Sequence, residues 1–569
     1  MGVLEVFYAH LDATKAPDAP ITGVEASPAS KRAYMALLGL THIREFANNK
    51  SGRVAAEKLL KSWPGVFKWA SYFFAIQVKP AMQTPQIRRS AMDVLAGMLY
   101  SICKEDTVRP AVLATPGSIE LATWMWLFED TVPALPMIDL PLCTMALDGI
   151  LCMADADQLD RAMSVSKNKP DAIAKLTMKR IKAEMQKANI DNTRAVISTD
   201  MLCKFCRPPQ HPLRHAFLAQ GAVGVVTRGL VACIAQMTTS RTSHLDAIVG
   251  CFGFLRNCLE STDGFTWVSE AIKAGLLLAF VNASPHYSSL DVEDRGMVLS
   301  IIEGIVPRYL VYRTVINDVH AALVIARASP HVASVSRSPA KNAWEAFVRV
   351  AEDRKTVERR SVELKGKQTV CDNAKCVKVA PKEQFRQCSA CGTTMYCSKE
   401  CQVIAWKEGD HKTMCQLKQR ENLEGKKHNI SKTDKTFIHN LSIRDAWQHF
   451  ALIKRKAAET CPGVPVDALL VQINYGTHPE TYSVAPLAGY KPSRTGGTAN
   501  DGARNEALFD KVRAEPGSYT LIETVIANGE YGQLLMTVAP HLWGLPADAA
   551  LDFMGKQLYD EEMLSSEVD

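Results

Sequence analysis

Seven of the sixteen cysteines fall between Cys371 and Cys415, and that clustering constrains this chain more than any other feature. The segment CDNAKCVKVAPKEQFRQCSACGTTMYCSKECQVIAWKEGDHKTMC sorts into four pairs, Cys371/Cys376, Cys388/Cys391, Cys397/Cys401 and His411/Cys415. Each pair can reach one ion. Cys388/Cys391 is a CxxC knuckle, and the last two pairs are spaced i, i+4, which on a helix projects both side chains from one face. Eight thiolate and imidazole donors suit two four-coordinate zinc ions, because zinc favours tetrahedral N/S sites. With no open position neither ion can activate water, so both zincs read as structural. The other nine cysteines are scattered, mostly in apolar stretches such as LPLCTMAL and GLVACIAQ, where a free thiol serves as a small hydrophobe. The opening MGVLEVFYAHLDATK carries Glu5 inside its only apolar stretch and lacks a basic n-region. The chain therefore reads as soluble and intracellular, a setting in which clustered cysteines point to metal rather than disulfides.

The order of these residues strongly resembles the MYND zinc finger family. Its pattern of CxxC, YCSxxCQ, a Trp and a final HxxxC is present as Cys388/Cys391, Tyr396-Cys397-Ser398, Cys401-Gln402, Trp406 and His411/Cys415. The family's cross-braced topology implies that Cys371, Cys376, Cys397 and Cys401 hold one zinc and Cys388, Cys391, His411 and Cys415 the other. Spacing alone leaves open the alternative in which adjacent pairs share an ion. Three departures bear on loop shape but remove no ligand. The first pair is separated by four residues, Ala405 stands where an Asp often precedes the Trp, and KEGD lengthens the stretch between Trp406 and His411. The resemblance also implies a peptide-binding module for proline-containing linear motifs, with Ser389, Gln402 and Trp406 as the contact residues. Gln402 and Trp406, four apart, share a helix face, and an indole beside an amide suits a partly apolar extended peptide. The competing reading has Trp406 filling the small core between the zincs.

Charge argues against nucleic acid as the finger's partner. Residues 371–415 carry seven Lys and Arg against five Asp and Glu. With two zincs and seven thiolates counted, the module is close to neutral and lacks a phosphate-neutralising face. The whole chain, at +6 over 569 residues, gives no general reason for polyanion binding. No run of about 18 apolar residues suggests a membrane span.

The fold class read from the sequence is mainly α: an armadillo-like helical-repeat region over 1–341, the two-zinc finger over 371–415, and a small α+β domain over 436–560. Between about 30 and 350, apolar residues recur at three-and-four spacing in segments such as KRAYMALLGLTHIREFANN and RRSAMDVLAGMLYSIC. An internal echo aligns on Gly65, Gly117, Gly221 and Gly275, with apolar or aromatic residues two and four positions later. A glycine ending one helix and admitting a buried one is how armadillo-like repeats are built, and such arrays offer a concave binding surface. Residues 342–367 are highly charged and read as an exposed connecting helix, 416–435 as a Lys-rich linker, and 561–569 as an acidic tail. In the last domain SIRDAWQHFALIKRKAAET reads as a helix capped by Ser442. DALLVQINY, ETYSVAPL, SYTLIETVIANG and YGQLLMTVAPHLW read as strands, with KPSRTGGTANDG as a glycine-rich loop before a further helix.

Weaker signals take plainer readings. Cys203, Cys206, His211 and His215 have ligand types for a third zinc, but their place among the helices favours a reduced pair at a helix end. Asp155, Asp157 and Asp160 lack the Gly and Glu of a calcium loop and read as a helix cap. KNKPDAIAKLTMKRIKAEMQK is a basic amphipathic helix whose plainer reading is a solvated face, with a nuclear signal or an acidic partner site as the alternatives, and the terminal SSEVD reads as a free polar end. No phosphate loop, nucleophile elbow, HExxH or GxGxxG occurs. The Asn-His-Ser/Cys motif and closing Cys-rich segment of SET-domain methyltransferases, which some MYND proteins carry, are also unmatched. The expectation is therefore a non-enzymatic interaction protein, a scaffold or transcriptional co-regulator. The alternative is an enzyme with an unrecognised site in the C-terminal domain.

Overall fold

The structure is a computed structural model. It describes residues 2–18, 27–43, 52–80, 83–133, 140–153, 155–237, 244–262, 264–367, 369–416 (without 372, 374, 375, 377, 381, 392, 393, 409, 410, 413 and 414), 430–491, 508–540 (without 511), 542 and 543. Most of the expected linker, the glycine-rich loop from residue 492 and the acidic tail with SSEVD lie outside the described residues. The chain is mostly helical with a small sheet near its C-terminus, and its contacts divide it into Met1–Cys258 and Leu259–Asp569.

The first unit is helical throughout its described residues, from Gly2–His10 to Leu245–Cys258. Its helices start where the sequence supplies caps. Thr84 accepts from the Ile87 amide, Asp191 from the Arg194 amide, and Asp155 forms a reciprocal capping box with Gln158. Prolines occupy the first turns at Pro28, Pro85, Pro170 and Pro212, where a missing N–H costs nothing. Trp69, Trp126, Phe205, Phe217 and Phe252 are fully buried between the helices.

Three of the four echo glycines are helix junctions in left-handed backbone: Gly117 (φ 88°) and Gly221 (φ 71°) in this unit and Gly275 (φ 108°) in the second. The residues two positions on, Ile119, Val223 and Leu277, are fully buried. Gly65 differs. It lies inside the Gly52–Phe73 helix, where an added Cβ would stand 2.1 Å from the Leu11 carbonyl oxygen. Close approach rather than a turn therefore demands glycine there.

The second unit begins with helices including Phe265–Lys273, Leu276–Ala283 and Arg313–Arg327, followed by the long helix Lys341–Lys367. The long helix departs from the exposed connector expected for it. Phe347, Ala351, Arg354 and Glu358 are buried along it. Arg354 donates to Asp445 at 2.7 Å, the Tyr475 hydroxyl donates to the same carboxylate at 2.7 Å, and Glu358 accepts from Arg313 at 2.6 Å. The sequence shows these charges but not the opposite charges, 91 and 45 residues away, that let them be buried.

The finger contributes two short hairpins, β1 (Thr369–Val370) with β2 (Val379–Ala380) and β3 (Arg386–Gln387) with β4 (Met395–Tyr396), and the helix Lys399–Lys407. Beyond it come helices Lys432–Gln448 and Phe450–Thr460, then β5 (Leu469–Asn474), β6 (Thr481–Pro486), β7 (Tyr519–Asn528) and β8 (Tyr531–Pro540). The four strands expected from the sequence are all present, in the order β6-β5-β7-β8, with β5 and β7 parallel and the other pairs antiparallel. One face meets the Lys432–Gln448 helix, where Ser442 Oγ lies 2.9 Å from Thr524 Oγ1. Leu470, Leu487, Phe509, Val512 and Leu521 pack together on the other face. Ser442 is thus a buried mid-helix residue that bonds back to the Ile438 carbonyl, and the cap is Ser431, eleven residues earlier. The polar start KTDKT hid that earlier beginning. No single helix among the described residues is long and apolar enough to cross a membrane.

Candidate metal centre

The finger's donors form two sets, Cys371/Cys376/Cys397/Cys401 and Cys388/Cys391/His411/Cys415, and within each set the ligand atoms lie within 4.8 Å of one another. Pairs one and three therefore share one site and pairs two and four the other, so the cross-braced arrangement holds and the adjacent-pair alternative falls.

Short hydrogen bonds hold the first set. The Cys371 amide bonds the Lys378 carbonyl at 3.1 Å, and the Cys376 amide bonds the Asn373 carbonyl at 2.8 Å, curling the loop between β1 and β2 so that both thiols point inward. Cys397 comes from the end of β4 and Cys401 from the helix that follows. The sequence suggested one helix face for this pair. Instead Ser398 is the N-cap in extended backbone (φ −154°), its Oγ accepting from the Cys401 amide at 3.2 Å, and Cys397 precedes the helix. The cap turns the chain sharply enough to bring the two sulfurs within 3.5 Å. In the second set the Cys388 amide bonds the Thr394 carbonyl at 2.9 Å to close the knuckle, and His411 and Cys415 are both in helical backbone.

The spacings fit zinc. A tetrahedral ion with Zn–S bonds of about 2.3 Å sets its sulfurs about 3.8 Å apart and a sulfur and an imidazole nitrogen about 3.5 Å apart. Cys376–Cys397 is 3.6 Å, Cys388–Cys415 is 3.9 Å, and His411 Nε2 stands 3.4 Å from Cys388 Sγ. The donor chemistry also calls for a cation. Desolvation and the neighbouring sulfurs push the Cys397 thiol up to about 12, while a hydrogen bond from Asn373 draws Cys401 down to about 7. Metal ligation takes these thiols as thiolates, and a bound cation offsets the repulsion among them. Asn373, buried beside Cys401, was not singled out from the sequence. Its position between the first paired cysteines was the available signal.

The residues named for peptide contact lie on the outside of this core. Ser389 is exposed in the knuckle, and Gln402 and Trp406 are one turn apart on the Lys399–Lys407 helix. The finger's core is Cys371, Ala380, Phe385, Cys388, Cys391, Tyr396, Ala405 and Cys415. Trp406 is absent from it. Its indole is 37% exposed and meets the His411 ring edge-on at 5.6 Å between centroids. A ring seated on a metal ligand is held in place while one face stays open to solvent.

Elsewhere the ligand-like residues serve the helices. Cys206 caps Asn192–Phe205 and contacts Cys258, and Cys203 Sγ faces the Gly250 carbonyl at 3.6 Å. His211 caps Pro212–Ala219 by accepting from the Leu213 amide, and His215 is exposed. Among the described residues, only the two finger sets bring three or more such donors close enough to share an ion.

The family model of the MYND finger matches residues 371–415. No curated protein and no solved structure matches the chain. Residues 371–415, with two cross-braced donor sets that fit two zinc ions, are a MYND zinc finger, a domain that binds zinc and generally mediates protein interactions.

Proposed function

We propose that the finger docks a proline-containing extended peptide on Ser389, Gln402 and Trp406, making this chain an intracellular scaffold or transcriptional co-regulator. The observation that carries the reading is Trp406, a large aromatic side chain left partly exposed on a module whose core is complete without it. A proline ring stacks well on such a face, and Gln402 supplies an amide to the peptide backbone. In the same reading the N-terminal helices form an armadillo-like array that offers a second protein surface. The support for that part is the pair of left-handed glycine junctions at Gly117 and Gly221.

A peptide array probed with the full-length protein and with Trp406→Ala tests the reading. Proline-containing hits that disappear in a variant still carrying two zincs support it. An absence of hits for the wild type, or hits unchanged in the variant, overturns it. No catalytic step belongs to this reading, since closed zinc sites leave no position for a substrate. Saturable binding of S-adenosylmethionine in calorimetry would favour the enzyme instead.

A further inference from the structure

Residues 161–241 carry fourteen Lys and Arg against four Asp and Glu, a concentration that the whole-chain balance hides. Several of these cations are matched within the first unit. Arg161 pairs with Glu120, Arg180 with Asp130, Lys187 with Glu184 and Lys204 with Asp148. Lys167, Lys169, Lys175, Lys179 and Lys182 behave differently. All five are exposed, and none has an acidic partner among the described residues.

The Pro170–Met185 helix arranges three of them in a row. Its buried side, with Ile173, Met178 and Ile181, is set against the neighbouring helices, while Lys175, Lys179 and Lys182 follow at i, i+4 and i+7 on the open side. At 1.5 Å per residue the row spans about 10 Å. Lys167 and Lys169 lie just before its N-terminal end, Lys167 in left-handed backbone with φ 57°. Asp171 in the first turn is the only acid on this side of the helix. Such an arrangement works against the helix itself. Lysines at i, i+4 and i, i+3 repel one another, and cations at a helix N-terminus oppose its dipole. An ordinary solvated face interleaves the two signs. Here Asp171, four residues before Lys175, is the one acid beside five lysines, and an anionic partner would relieve the repulsion that remains among them.

We infer that this lysine face is a docking surface for an acidic peptide segment. An extended chain rises about 3.4 Å per residue and presents every second side chain to one side, so acids at alternate positions fall close to the 6 Å step from Lys175 to Lys179. The face lacks what other polyanions use. It has no aromatic side chain to stack on bases, no arginine fork for phosphate, and no exposed large hydrophobe to enter a lipid surface. Its few charges also fall short of the six to ten phosphate contacts of a typical DNA-binding protein.

The test is fluorescence anisotropy of a labelled decaglutamate peptide with the full-length protein at rising salt. A single-stranded 20-nucleotide oligomer and vesicles containing phosphatidylserine are run beside it. Binding of the peptide that weakens with salt and drops at least tenfold in the triple variant Lys175→Glu, Lys179→Glu, Lys182→Glu is the expected result. The corresponding Gln triple, checked by circular dichroism, keeps the test valid should charge reversal disturb folding. No peptide binding, or binding that survives both triple variants, overturns the inference. So does an oligomer or vesicle that outcompetes the peptide through the same lysines.

Discussion

In the finger, Cys371, Cys388, Cys391 and Cys415 are buried because they converge on ions. In the first unit, Cys103, Cys143, Cys233 and Cys251 are buried because helices close over them. The burial is similar and the chemistry opposite. Burial pushes the Cys103 thiol up to about 12 and Cys233 to about 11, with Cys143 and Cys251 well above their ordinary value, so these thiols stay protonated and inert. They pack as small apolar groups, Cys233 Sγ lying 3.7 Å from Met185 Sδ. The finger has too few residues for such a core. Four of its eight core residues are zinc ligands, which leaves metal coordination in place of apolar burial as its main source of stability.

The largest expected effect follows from that contrast. Structural zinc contributes on the order of 10 kcal/mol per site in isolated fingers, more than the remaining core of Phe385, Tyr396, Ala380 and Ala405 can replace. A strong chelator should remove two zincs per chain, open residues 371–415 to limited proteolysis and leave the helical signal of the first unit nearly intact. Cys388→Ser should lower the zinc content by one and make the finger equally labile. Loss of helical signal in step with zinc would erase the distinction between the two regions.

How legible each region was depends on how local its interactions are. The zinc ligands stood out because their spacing is a short-range pattern, and the strands because alternation and turn residues are also local. Even the grouping of the ligands needed more than spacing: a family resemblance implied the cross-brace, and the geometry settled it. Arg354 and Glu358 looked like solvated charges because their partners come from distant segments. Ser442 was read as a cap because the true one, Ser431, opens on polar residues that carry no apolar period. Gly65 matched the echo in sequence, yet it is glycine because the Leu11 carbonyl, in the bend after the first helix, leaves no room for a Cβ.

The first unit has its own pH signature, which zinc does not touch. Asp200 is pushed up to about 6 by burial and by the nearby Asp148. Unfolded, it titrates near 3.9. The folded state therefore holds its proton more tightly, and stability falls as pH rises from about 4 through 6. The difference corresponds to about 2–3 kcal/mol. Asp200→Asn should flatten that part of the profile in urea denaturation and raise stability at pH 7, with zinc content unchanged. A smaller effect is expected from Cys251→Ala, a truncation inside the packed Leu245–Cys258 helix: a loss of about 1 kcal/mol in the same assay. Zinc release by this variant would show that the scattered cysteines are not the plain hydrophobes described above.

The smallest expected effect on stability belongs to Trp406→Ala, and its smallness is the point. If the indole were part of the finger's core, removing it would cost about 3–5 kcal/mol, as for other buried aromatics, and would loosen the zinc site through His411. Its partial exposure and its edge-on packing against that ring predict a much smaller cost, no more than about 1 kcal/mol. Zinc content should stay at two per chain, and chelator titration of the variant should follow that of the wild type. A peptide that binds the wild type and not this variant would then have lost a contact rather than a fold. A variant that sheds zinc early would place Trp406 in the core and remove the observation on which the docking surface rests.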